Sequence, residues 1–310
     1  MQIVNPDSHY DFVGKNRIAV LFSLLVILAG IISLTLNGGP KLGVDFAGGT
    51  LVEVRFAAPT QAGDIREALR DLALGSFTVQ QFGDSSNDFL IRTQQADSGS
   101  DEISSALTRA LQKHYGEGQM DIRRAEMVGP QVGHELMQKG LMALLYAMAG
   151  SLIYISWRFE FRFAVGAIVA LLHDVLVTLG IFSLLGKEID LTVIAAFLTV
   201  IGYSLNDTIV IYDRLRENLA KRPDEGFSAT LNRSINETLS RTILTSATTL
   251  LVVLALFVFG GAVIHNFAFA LLVGIIAGTY STIFVAGALV LAWDKRRPKK
   301  MIENLAPSQI

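Results

Sequence analysis

Residues 197–214 constrain this chain more than any other stretch. They form the second half of an apolar segment long enough to cross a bilayer, and they carry a carboxylate, Asp207, inside it. An Asp deep in a spanning helix costs roughly 2.5–3.5 kcal/mol on insertion scales, so it faces the inside of a helix bundle where a partner or a proton can meet it. At 3.6 residues per turn, Tyr203, Asn206, Asp207 and Arg214 share one side of the rod. One reading of such a stripe is mere hydrogen-bonding glue between helices. Ser and Asn would suffice for glue; an ionisable Asp favours a functional role.

Composition agrees with a membrane chain. Half of it is hydrophobic (51%), mean hydropathy is +0.45, and charged residues make up 17%, against about 25% in soluble domains. The net charge of −2 argues against a nucleic-acid partner, which needs a clustered basic face. With no cysteine, disulfides, thiolate metal sites and cysteine nucleophiles are excluded. His9, His114, His134, His173 and His265 show no H-E-x-x-H spacing, and there is no P-loop. No bound nucleotide, metal or other cofactor is expected. No nucleophile–base pattern lies in the spans, so the chain does not read as an enzyme.

Residues 1–16 form a short polar N-terminus, and 17–36 read as an uncleaved first span, with Lys15 and Arg17 at its cytoplasmic start. A soluble region follows over 37–138. It opens on Gly43-Val-Asp-Phe-Ala-Gly-Gly-Thr50. Alternation and turn residues then predict a strand at 50–56, a helix at 62–74, strands at 77–82 and 88–93, a helix at 100–115 capped by Ser100, and a strand at 121–128. The order β-α-β-β-α-β is that of a ferredoxin-like split unit. Val128-Gly-Pro-Gln-Val-Gly133 separates it from residues 139–294, which hold five more spans at about 140–156, 163–185, 191–212, 242–259 and 267–293. The fold expected is therefore a six-span α-helical polytopic membrane protein with one small α+β domain between the first and second spans.

Short-loop charge sets the orientation. Residues 157–162, the loop 213–241 and the basic tail 295–310 are rich in Arg and Lys, whereas 186–190 and 260–266 contain only Lys187. Both termini are expected in the cytoplasm and the α+β domain on the far, periplasmic side. The loop 213–241, broken near Pro223, is expected to lie along the cytoplasmic surface, as a solvated connector or a partner-binding segment.

Three intramembrane polar groups need an explanation: Asp207; Arg241 with Thr245, Thr248 and Thr249 on one face of the fifth span; and His173-Asp174 halfway along the third. Asp207 lies about 9 Å inside the cytoplasmic end of its span, at 1.5 Å per residue. Arg241 enters from the same side on an antiparallel helix, with Thr245 one turn deeper. Ionised Asp207 would hold the guanidinium and protonated Asp207 would release it, a two-state element worked by one proton. The plain alternatives are that Arg241 snorkels to lipid phosphate and Thr245 bonds its own helix. His173-Asp174, and Asn206 beside Asp207, are either packed polar groups or parts of a proton relay.

The Gly43–Thr50 stretch, Val128–Gly133, Ile201-Gly-Tyr-Ser-Leu-Asn-Asp-Thr-Ile-Val-Ile-Tyr-Asp-Arg-Leu-Arg-Glu217 and Arg241-Thr-Ile-Leu-Thr-Ser246 resemble the signature stretches of the SecF family, the smaller membrane subunits of the bacterial SecDF protein-export factor. The resemblance runs in order along the whole chain. It implies an RND-like half membrane fold in the inner membrane. It also implies partnership with SecD, YajC, the SecYEG channel and a translocating preprotein, and use of the proton-motive force for translocation and release. By motif position, Asp207, Arg241 and Thr245 match the family's proton-passage residues, and Gly43, Asp45, Phe46, Gly48, Gly49, Gly129, Pro130 and Gly133 its structural motifs. A further proton-path Asp would come from SecD. The rival readings are an RND-type proton-coupled small-solute exporter, which would need large paired outer domains, and a purely structural assembly subunit.

Overall fold

The computed structural model describes residues 9–70, 72, 77–81, 86–93 and 100–296. Among them, six helices are long and apolar enough to cross a membrane. They are α1 (Asn16–Leu36), α5 (Pro130–Arg158), α6 (Phe161–Leu184), α7 (Leu191–Lys221), α8 (Phe227–Phe259) and a last one built of α9 (Gly261–Ser281), a π turn (Thr282–Ala286) and α10 (Gly287–Arg296). Between α1 and α5 lie a single-turn helix α2 (Val44–Ala47) and the α+β domain: β1 (Gly49–Phe56), α3 (Ala62–Ala68), β2 (Phe77–Gln81), β3 (Asp88–Thr93), α4 (Ser100–Tyr115) and β4 (Met120–Val128).

The four strands form one antiparallel sheet in the order β2-β3-β1-β4, which is the ferredoxin-like arrangement. Alternation explains the sheet: Val52, Val54 and Phe56 of β1 and Phe89 and Ile91 of β3 point inward, and Ile65, Ile103, Leu107 and Leu111 of the two helices cover them. The helix expected over 62–74 ends at Ala68; residues 71 and 73–76, Phe82, most of the turn at 83–87, the side chain of Ser100 and the tail beyond 296 lie outside the described residues.

Two loops differ from expectation. The segment 213–241 does not lie as a separate surface element, because α7 and α8 run on as helices and meet in a short turn over 222–226. Leu215 and Asn218 of α7 bury against Leu231 and Ser234 of α8, and Asn218 donates to Ser234 Oγ at 3.0 Å. Amphipathic extensions that pack on one another stay helical until Pro223 and Gly226 break them. Similarly, the loop expected over 260–266 reduces to a Gly260–Gly261 turn, with Gly261 at φ +68°.

Alpha-1 runs parallel to α6 along a seam of small residues. Gly30 meets Gly180 so closely that a Cβ on Gly30 would lie 2.7 Å from the Gly180 Cα. Above and below it, Ser33 bonds Ser183 at 2.8 Å and Ser23 bonds His173 at 3.1 Å. Small residues let membrane helices approach closely, and hydroxyls then bond across them. Before α1, residues 10–13 are tied to α8, where Asn232 and Asn236 bond the backbone of Tyr10 and Phe12 at 2.9 Å each.

Candidate functional site

Asp207 sits on α7 and is 3% exposed. Its Oδ2 is buried and accepts no hydrogen bond. The opposing charge is Arg241 on α8, near enough to act on the carboxylate, yet no ion pair within 4.0 Å joins them among the described residues. Arg241 is exposed. Thr245 is turned to its own backbone, donating to the Arg241 carbonyl at 3.0 Å. Arg241 thus acts on Asp207 through its charge rather than as a closed pair.

The rest of the polar stripe divides. Tyr203 reaches Ser246 of α8 at 3.3 Å, and Ser246 continues to Thr279 of α9 at 2.9 Å. Asn206 is exposed on the outward face of α7. Arg214, two turns beyond Asp207, belongs to an ion cluster with Glu237 at 2.6 Å and Glu217 at 2.8 Å.

His173 and Asp174 form a second, fully internal centre. Asp174 is inaccessible and His173 is 6% exposed. Asp174 Oδ1 lies 3.0 Å from His173 Nδ1, and its Oδ2 accepts from Ser204 of α7 at 2.7 Å and from Ser281 of α9 at 2.9 Å. The partners Ser23, Ser204, Tyr280 and Ser281 were not singled out from the sequence, where small hydroxyl residues look like ordinary helix-packing positions.

The glycine-rich motifs build a joint at the other end of α7. Lys41 and Gly43 exchange backbone hydrogen bonds with Ile189, 2.8 Å each. Asp45 Oδ2 accepts the Leu191 N–H at 2.9 Å, a carboxylate on the orphan donors of α7's first turn. Asp190, the N-cap of α7, accepts from Val193 N at 2.9 Å; burial pushes its carboxyl above the usual carboxylate range. Phe46 buries with Phe182, Val193 and Phe197 of the bundle, not with the soluble core. A Cβ on Gly43 would lie 3.1 Å from the Asp190 Cβ, Gly48 has φ +73° against Pro130, and a Cβ on Gly133 would lie 2.8 Å from the Phe46 carbonyl oxygen. Gly49 also has positive φ, whereas Gly129 has open space and an ordinary φ as the N-cap of α5. Glu188 completes the joint: it pairs in two-pronged fashion with Arg92 of β3 and lies 3.5 Å from Lys41.

The carboxylate of Asp207 thus lies on an apolar helix whose first turn is bonded to α2. Residues 107–296 match the family described as protein export membrane protein SecD/SecF, C-terminal, and residues 34–60 match the SecD/SecF GG motif. The chain belongs to the SecF family of protein-export subunits. It is 49% identical to the protein translocase subunit SecF of Magnetococcus marinus, covering 99% of each chain. It is 45% identical to that of Vibrio alginolyticus, covering 100% of this chain and 96% of the other. Among solved structures, the translocon-associated membrane protein SecDF of Thermus thermophilus superposes with a TM-score of 0.86 at 36% identity over 95% of this chain. SecDF in its super-membrane-facing form superposes at 0.69, with 38% identity over 96%. The chain spans 40% of each SecDF chain. Near-equal identity with unequal superposition means that the two SecDF structures differ in shape over this region.

Proposed function

We propose that this chain, paired with SecD in the cytoplasmic membrane, uses the proton-motive force to promote translocation and release of preproteins leaving SecYEG, with YajC as an accessory partner. The reading follows its membership of the SecF family; proton coupling is carried by one observation, a buried carboxylate facing an arginine charge without a closed ion pair. A static scaffold would be expected to seal such a pair, because a buried unpaired carboxylate is costly. Loading a proton onto Asp207 cancels its attraction for Arg241 and changes the preferred fit of α7 against α8. A proton moving through about 150 mV releases on the order of 3.5 kcal/mol from the voltage alone, enough to invert a modest two-state preference.

Movement of α7 reaches the soluble domain through its outer end. About 24 Å of helix separates Asp207 from Leu191, and Leu191 hangs on Asp45. The exposed face of α7 at Thr199, Gly202 and Asn206 is where SecD would pack and bring a second carboxylate. The basic end of the bundle, with Arg158, Arg216, Arg222 and Arg296, supports a cytoplasmic orientation for that end and, with it, an α+β domain on the far side, where preproteins would emerge. Its single small domain argues against the small-solute exporter.

The test is export of a secreted reporter in cells carrying Asp207→Asn, with membrane levels of the chain and the membrane potential unchanged. Export falling to the deletion level supports the proposal. Export at the wild-type level would leave Asp207 as scaffolding.

A further inference from the structure

The His173 centre has a property that a packed polar pair does not need. Its hydrogen bonds are fully satisfied in two protonation states that differ by the turn of one hydroxyl. The His173 Nδ1 faces Asp174 Oδ1 at 3.0 Å, and Asp174 Oδ2 is already engaged by the Ser204 and Ser281 hydroxyls. Two donors on one oxygen and a third site on the other suit a carboxylate, which makes Nδ1 the donor. The His173 Nε2 lies 3.1 Å from Ser23 Oγ on α1. That hydroxyl also lies 3.3 Å from the Tyr280 oxygen, while Tyr280 spends its own proton on the Ala19 carbonyl at 2.6 Å. Ser23 therefore has two acceptors within reach. With His173 neutral, Ser23 donates to Nε2. With His173 charged, Nε2–H donates to Ser23, and Ser23 turns to donate to Tyr280. No buried donor is left unpaired in either state.

We propose that His173 and Asp174 are a second proton-binding centre of this chain, in which the proton is taken up on His173 Nε2 and accommodated by rotation of the Ser23 hydroxyl toward Tyr280. The ligand is the proton itself. The ring meets Asp174, Ser23 from α1 and Tyr280 from α9, while Ser204 from α7 and Ser281 from α9 bond Asp174, so among the described residues Asp174 and Tyr280 are the titratable groups placed against it. Tyr280 also stacks on the imidazole, centroids 6.0 Å apart. The charge state of His173 is felt on α7 through Asp174 and Ser204. Gly278 permits this closeness, because a Cβ there would lie 3.0 Å from Ser204 Cβ and 3.5 Å from Asp174 Oδ2. One residue past Ser281 the helix widens into the π turn, where Thr282 meets Thr208 of α7 at 3.0 Å. Pi turns mark helix segments that trade regular packing for local chemistry.

The centre can be tested without reference to Asp207 or to export, so neither result decides the other. Nitrogen-15 NMR of histidine-labelled full chain, with SecD in nanodiscs, reads the tautomer and charge of each ring, and the His173 signal is the one removed by His173→Gln. Above its midpoint His173 is expected as the Nδ1–H tautomer, and below it with both nitrogens protonated. Ser23→Ala removes the acceptor of the charged form and should lower the midpoint by about one pH unit, a tenfold loss of proton affinity. Should His173→Gln fail to fold, replacing His9, His114, His134 and His265 by Gln leaves His173 as the one labelled ring. A neutral ring carrying its proton on Nε2 would place a proton on Asp174 and overturn the proposal. So would a ring that does not titrate, or a midpoint that Ser23→Ala leaves in place.

Discussion

At the scale of single residues, the costly groups are the informative ones. Asp190 caps α7 while burial raises its carboxyl pKa, so its ionised form is a net cost to the folded state. For an acid whose folded pKa lies above its unfolded pKa, that cost is present in full above the folded pKa and disappears as the pH falls through it. Asn caps a helix as well as Asp does. Asp190→Asn is therefore expected to keep or raise the thermal midpoint at pH 7, with the difference from wild type closing as the pH is lowered through the carboxyl range. A lower midpoint at pH 7 would mean that the charge itself holds the joint. Asp207 and Arg241 were legible in the sequence, because an ionisable group in an apolar span stands out and helix rise fixes its depth. The direction of the Thr245 hydroxyl was not, since a Thr in a helix can turn either to a neighbour or to its own carbonyls.

At the scale of elements, regular periodicity carried the reading furthest. Beta-3 and α4 fall at the residues their alternation and 3.6-residue period predict, and the β-α-β-β-α-β order leads to the observed sheet. What escaped were contacts with no period: the bridge of Lys41 and Gly43 to Ile189, the Asp45 cap on Leu191 and the π turn. These are single hydrogen bonds between segments remote in sequence, and nothing local announces them. The motif glycines fall into two classes for the same reason. Gly133→Ala would push a methyl to 2.8 Å from the Phe46 carbonyl oxygen, backbone that cannot swing aside. It should cost about 1–3 kcal/mol, as overpacking does, and lower the thermal midpoint measured in nanodiscs. Gly129→Ala, with open space around it, should leave the midpoint near wild type. Equal losses would show that the joint does not depend on the α2–α5 approach.

At the scale of the whole molecule, α7 connects the two halves of the account. Its middle carries Asp207, one side binds the His173 centre through Ser204, and its first turn is fastened by Asp45 and by the Ile189 bridge. Arg92 and Glu188 tie the sheet to the turn just before it. Under the proposed function, the charge of Asp207 sets the position of the α+β domain. The chain contains no cysteine, so two can be placed freely, at exposed Arg123 on β4 and exposed Leu185 at the end of α6. Spin labels there, in the complex with SecD in nanodiscs, report the distance between domain and bundle by pulsed electron resonance. Asp207→Asn is expected to shift the distance distribution away from that of wild type at neutral pH and toward that of wild type at low pH. Identical distributions for wild type and Asp207→Asn at every pH would contradict it.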